Sequence, residues 1–297
     1  MKKAVLLIIL LLLSLIFHNE VMSGTTSGLL LWYRTLIPTL LPFIMITNAL
    51  FETHSYDYIA DFIQNQSYIK YIFIAIIMGN LCGYPIGAKI LNDFVVSGII
   101  SPDIANSFLS FSSQANPMFL IGFVYPILPK NSLSLPAFLL LIYIPHIALY
   151  YLYFKCGQNF KNTHICPKAT LTNQKDTDIS VTFLQAVNTM VLIGIYVIIF
   201  SIILEIALPL LHTDLSKCIL AFLEITNGLT LISSLSISKL MITCIITSLS
   251  AFGGLCTAFQ VKCVLNYKGA TIKKYLRDKI IISTGTFILT MLYLKKL

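Results

Sequence analysis

An acidic side chain inside an apolar run is costly in a membrane and marks a pathway or an ion pair. Glu224 is such a group, set in Leu223-Glu224-Ile225-Thr226-Asn227-Gly228. A second polar string, Asn80-Leu81-Cys82-Gly83-Tyr84-Pro85-Ile86-Gly87-Ala88-Lys89, interrupts another apolar run and ends on a cation. A third is Ser112-Ser113-Gln114-Ala115-Asn116-Pro117. Proline lacks a backbone donor and disfavours helix at the residue before it, so carbonyls near Asn116 are freed to bind. A fourth comprises Ser248, Ser250, Gly253, Gly254, Thr257 and Gln260.

These types suit binding rather than bond-breaking. A helix starting near Pro85-Ile86-Gly87 offers unpaired N–H groups and a positive dipole end, which favour a carboxylate or phosphate. Lys89, one turn on, adds a full positive charge, and the Asn, Gln, Ser and Thr side chains fix orientation. Glu224 is suited to hold a coupling cation (Na+ or H+), to carry a proton, or to pair with Lys89. The candidate substrate-binding residues are Asn80, Gly83, Tyr84, Pro85, Gly87, Lys89, Ser113, Gln114, Asn116, Glu224, Thr226, Asn227, Gly254 and Gln260.

The elements that must position them are membrane helices. The chain of 297 residues is 57% hydrophobic and 11% charged, where soluble proteins carry about 25% charged residues. Apolar runs cover residues 4–17, 29–51, 71–98, 104–128, 135–154, 181–208, 215–237, 239–262 and 279–294. A spanning helix needs about 20 residues. The fold expected is an all-α polytopic membrane protein, with the lipid bilayer and a small anionic substrate as partners. A homo-oligomer is compatible with this pattern. The net charge of +8 sits in short loops, as the positive-inside rule expects. No basic patch with interleaved aromatics accompanies it, so nucleic acid is not an expected partner. The seven cysteines and five histidines show no C-x-x-C or zinc spacing, and no metal site is expected. No nucleophile–base pair or phosphate loop suggests an enzyme. Met1-Lys2-Lys3 and the run after it read as an uncleaved first helix. Trp32 and Tyr33, beside Arg34, read as an interfacial anchor.

Runs 71–98 and 215–237 each break in the middle, and such matched pairs point to a transporter's binding site. Two arms of a dozen residues rise about 18 Å each, half a bilayer with some margin. Each broken run therefore reads as a re-entrant hairpin. With a cytoplasmic N-terminus, two hairpins place 14 of the 20 Lys and Arg inside; two spanning helices would place 11 inside and 9 outside. The hairpin topology obeys the positive-inside rule better. It also makes residues 29–128 and 181–262 inverted repeats of helix, hairpin and broken helix. The expected organisation is a membrane helix and loop over 1–28, a first repeat and connecting helix over 29–154, and a cytoplasmic linker over 155–180. A second repeat covers 181–262, and a basic loop with a C-terminal helix covers 263–297.

On these residues the chain resembles the sporulation integral membrane proteins of the YlbJ type. Trp32, Pro38, Pro42-Phe43, Gly83-Tyr84-Pro85-Ile86-Gly87-Ala88-Lys89 and Asn116-Pro117-Met118-Phe119 carry the first half of the resemblance. Leu223-Glu224-Ile225-Thr226-Asn227-Gly228, Phe252-Gly253-Gly254-Leu255 and Gln260 carry the second. That family has the nucleoside recognition, or Gate, domain, similar to the core of concentrative nucleoside transporters. The resemblance implies a sporulation-associated carrier that moves dipicolinate across the mother-cell-derived outer forespore membrane. A nucleoside or nucleobase carrier, and a non-transporting structural protein of the spore envelope, are the alternatives. Dipicolinate is a planar dianion, so helix N-termini and Lys89 suit its carboxylates and Tyr84 its ring.

Overall fold

The computed structural model describes residues 2–52, 69–155 and 179–296. Most of the expected linker 155–180 therefore lies outside the described residues. Every regular element among the described residues is helical. Helices α1 (Lys2–Ile16) and α2 (His18–Leu31) lead through a π-turn (Trp32–Leu36) into α3 (Ile37–Glu52). Helices α4 (Ile69–Cys82) and α5 (Ile86–Val96) flank a short break. Next come α6 (Pro102–Ser112), α7 (Pro117–Phe119, continued by Leu120–Val124 and Tyr125–Ile127) and α8 (Leu135–Lys155). The second half holds α9 (Ile179–Ala207), α10 (Asp214–Ala221), α11 (Ile225–Ser233), α12 (Lys239–Phe252), α13 (Gly254–Cys263) and α14 (Lys273–Lys296). Among the described residues four stretches are long and apolar enough to cross a membrane: His18–Leu50, Leu135–Tyr153, Phe183–Leu210 and Lys239–Cys263.

The breaks fall where the local chemistry demands them. Gly83, at φ 86°, stops α4, and Pro85 caps α5, whose first turn needs no N–H from it. The segment 113–116 is unwound, and Asn116 caps α7 by accepting from the Phe119 N–H at 2.7 Å. Between α12 and α13 the chain passes through two left-handed glycines, Gly253 at φ 91° and Gly254 at φ 86°. They form a break within the run 239–262, which the sequence reading expects to be a broken helix.

Three expectations are revised. Residues 18–28, expected to include a loop, are helical, because Gly24 and Gly28 form a small-xxx-small face against α9. A Cβ on Gly24 would lie 2.6 Å from the Ile202 Cα, and one on Gly28 2.9 Å from the Ile198 Cα. Trp32 is a helix-packing residue: its indole N–H donates to the Met190 carbonyl of α9 at 2.8 Å and its ring lies against Gly194. The C-terminal helix begins at Lys273 rather than Lys279. Tyr275, Lys279, Ile282, Thr286 and Thr290 recur at three- and four-residue steps and form its buried face. Ser248 pairs with Ser283 at 2.8 Å and Thr247 with Thr290 at 3.1 Å, which fastens α14 to α12.

Candidate functional site

Two interrupted helix pairs meet the two broken helices at their breaks. At the first tip, Gly79 of α4 and Gly87 of α5 lie face to face: a Cβ on Gly79 would come within 2.7 Å of the Gly87 Cα. The Tyr84 N–H donates to the Gln114 carbonyl at 3.0 Å, so the tip is bonded to the unwound 113–116 segment. At the second tip, the N–H groups of Leu255 and Cys256, opening α13, donate to the Phe222 and Leu223 carbonyls, both at 2.9 Å. A Cβ on Gly254 would sit 3.1 Å from the Ile225 nitrogen, so this approach needs glycine. The backbone groups freed by the breaks thus bond to one another, which a buried break requires.

A cavity of about 30 Å³ lies between the Gly83, Asn116 and Glu224 breaks and the first turns of α13. Gly83, Tyr84, Asn116, Glu224, Thr226 and Gln260, six of the sequence-derived candidates, line it together with Thr257. Leu36 and Leu40, Ile193 and Val197 of α9, and Ala115, Phe119 and Ile225 supply the apolar wall. A water needs roughly 10–15 Å³ on this measure. The space therefore admits one or two waters and no planar dianion in this conformation.

Glu224 is 1% exposed and caps α11. One carboxylate oxygen accepts from the Thr226 N–H at 3.0 Å and the Thr226 hydroxyl at 3.1 Å; the other accepts from the Asn227 N–H at 2.7 Å. Its negative charge meets the positive helix end, which favours it there. Gln260 is buried, and its amide donates only to the Cys256 sulfur, at 3.4 Å. The Tyr84 hydroxyl is buried without a hydrogen-bond partner. Asn116 also donates to the Thr39 carbonyl at 3.0 Å, which ties the break to α3.

The other candidates are not in the cavity lining. Asn80 donates to the Ile76 and Phe111 carbonyls at 2.7 and 2.8 Å and joins α4 to α6. Asn227 donates to the Ser201 hydroxyl at 2.6 Å, against α9. Pro85 and Gly87 shape the first tip, and Gly254 the approach of the second. Lys89 donates to the Asn48 side chain of α3 at 2.9 Å. It is two residues past Gly87, about 200° around the helix, so with Gly87 facing α6 the lysine faces away from that break. Ser113 and Gln114 are buried behind the wall, the Ser113 hydroxyl and the Gln114 amide nitrogen without partners.

Sequence reasoning missed Lys279. It is fully buried, and its ammonium donates to the Gln114 side-chain oxygen at 2.9 Å. It was counted among the loop charges, although its three- and four-residue spacing to Tyr275 and Ile282 placed it on an internal face. Among the described residues no group of three or more His, Cys, Asp or Glu could hold a metal ion. No protein-family model matches the chain, and neither the curated proteins nor the solved structures compared with it contain a match. The described residues form an all-helical protein with four stretches suited to a membrane and a small cavity, lined by polar and apolar side chains, where its interrupted helices meet.

Proposed function

We propose that this chain is a secondary transporter that binds a small anionic carboxylate between its two interrupted-helix tips. The observation that supports this best is the convergence of three helix breaks and the start of α13 on a cavity holding Glu224. Membrane transporters build substrate and ion sites from discontinuous helices facing a common cavity. Irregular backbone at membrane depth is tolerated only where protein or a cavity satisfies it. In this reading the two tips are re-entrant hairpins within inverted repeats, and the closed cavity is the state between substrate release and reloading. Glu224 holds the coupling Na+ or H+. In line with the resemblance, the substrate is dipicolinate and the membrane is the outer forespore membrane.

A nucleoside or nucleobase is the second reading, favoured by a cavity lining that carries hydrogen-bonding groups and no cation. Heterologous cells expressing the full chain separate the two. Accumulation or efflux of labelled dipicolinate above vector-only cells is the expected result. Uridine or adenosine flux with no dipicolinate flux selects the second reading, and no flux of any of them removes transport of these compounds.

A further inference from the structure

Among the described residues Lys279 has no counter-ion. It is fully buried on α14 and forms no ion pair with a described carboxylate. An isolated buried charge is strongly disfavoured, so a buried ammonium calls for an anion or sheds its proton. The groups around it favour the first course. Its one hydrogen-bond partner is the Gln114 oxygen, which turns the Gln114 amide nitrogen, a double donor, into the same region without a partner. The Tyr275 ring lies 5.6 Å from the ammonium, and its hydroxyl approaches Thr257 without closing a hydrogen bond. The Tyr84 hydroxyl is unpartnered and within electrostatic reach of both Tyr275 and Glu224. His146 of α8, also within electrostatic reach of Lys279, has its Nδ1 on the Ile142 carbonyl at 2.8 Å and its Nε2 unpartnered.

The unfilled capacity is thus mostly that of donors: an ammonium, an amide NH2 and two phenols, all buried. A carboxylate is an acceptor-only group with about four lone-pair sites, and it complements that set. Gln114 directly precedes Ala115 and Asn116 of the tip-cavity lining, and Tyr84, which is in that lining, lies within electrostatic reach of Tyr275.

Resting on the carboxylate-transport reading above, we infer that Lys279 and Gln114, with the Tyr84 and Tyr275 hydroxyls, form the subsite that binds the substrate's carboxylate. Lys89 is not part of it. Displacing the Tyr84 ring joins this subsite to the Glu224 cavity, so that one ligand spans both.

The test is dipicolinate binding to the purified full chain in detergent, read by radioligand affinity and by the ligand-induced shift in unfolding temperature. Lys279→Met keeps the volume and removes the charge. It should weaken binding at least a hundredfold while the ligand-free protein unfolds at the same or a higher temperature. Gln114→Glu supplies a resident carboxylate to Lys279. It should raise the ligand-free unfolding temperature and abolish the ligand-induced shift. Lys89→Met should bind within threefold of the parent. Parent-like binding by either Lys279→Met or Gln114→Glu overturns the subsite and leaves the transport reading standing. If Lys279→Met fails to fold, Gln114→Glu decides alone. If the parent chain binds neither dipicolinate nor other small carboxylates such as succinate, the carboxylate reading itself fails, and the subsite with it.

Discussion

The Ser112 carbonyl lies so close to Gly87 that a Cβ built on the glycine would be 1.7 Å from its oxygen. Gly79 across the tip is held in the same way: a Cβ on it would lie 1.9 Å from the same oxygen. The end of α6 is wedged between the two arms, and the atom in the way is backbone, which cannot rotate aside. Gly87→Ala should therefore destabilise by more than the roughly 1–3 kcal/mol of ordinary overpacking. Gly122→Ala, with no atom within 4 Å of the new methyl, should be nearly neutral. Thermal unfolding of the two variants side by side checks this, and equal unfolding temperatures would contradict the wedge.

Glu224 has two separable roles. As a cap it accepts three hydrogen bonds, and Glu224→Gln keeps one acceptor oxygen while losing the charge. That loss should cost about 1–3 kcal/mol. If Glu224 also holds the coupling ion, the variant should lose concentrative uptake by far more than its stability predicts, yet retain substrate binding. Uptake that falls only in proportion to folded protein would reduce Glu224 to a cap.

The breaks were legible in the sequence because each rests on residues with a strong backbone preference: Gly83 and Pro85, Asn116 before Pro117, and Gly253 with Gly254. Glu224 stood out as an acid among apolar residues. Two things were hidden. Adjacency in sequence suggested that Lys89 belongs to the tip, but a step of two residues turns a helix to its opposite side. Lys279 was hidden because Lys273, Lys274 and Arg277 share the start of α14 with Tyr275 and Ile282. A search for continuous apolar runs starts that helix too late; only the three- and four-residue spacing shows which lysine faces inward.

A charged clamp holds the start of α14. The buried Asp278 carboxylate pairs with Arg277 at 2.9 Å and accepts from the Tyr153 hydroxyl of α8 at 2.8 Å and the Ser110 hydroxyl of α6 at 3.2 Å. Lys274 adds a bond to the Ser107 hydroxyl at 2.8 Å and lies 4.7 Å from the Tyr153 ring centre. Arg277 is largely exposed and can turn to water when its partner goes; Asp278 cannot. Asp278→Ala should strand the Ser110 hydroxyl, leave Tyr153 with Arg277 alone, and lose bonds each worth about 1.5–3 kcal/mol. Arg277→Ala should cost less, nearer the roughly 1 kcal/mol of an exposed pair. Unfolding temperatures in the reverse order would place the weight of the clamp on the arginine.

The topology makes the last prediction. If the two interrupted runs are the proposed re-entrant hairpins, the N-terminus and the loops around Lys168 and Lys273 share one side, the cytoplasmic one, with Lys130 on the other. That arrangement rests on the 14-to-6 division of Lys and Arg. Lys273 is exposed at the first turn of α14, and Lys130 is exposed just before α8, so cysteines there meet a reagent that reaches their side. Lys168 lies outside the described residues, and its side is inferred from charge alone. In a background without the native cysteines, Lys130→Cys should react with a membrane-impermeant thiol reagent in intact cells. Lys168→Cys and Lys273→Cys should react only after the cells are opened. If both interrupted runs spanned the membrane, Lys168 would move outside while Lys273 stayed within. Labelling of Lys168→Cys but not Lys273→Cys in intact cells would therefore eliminate the paired hairpins, and with them the proposed inverted repeat.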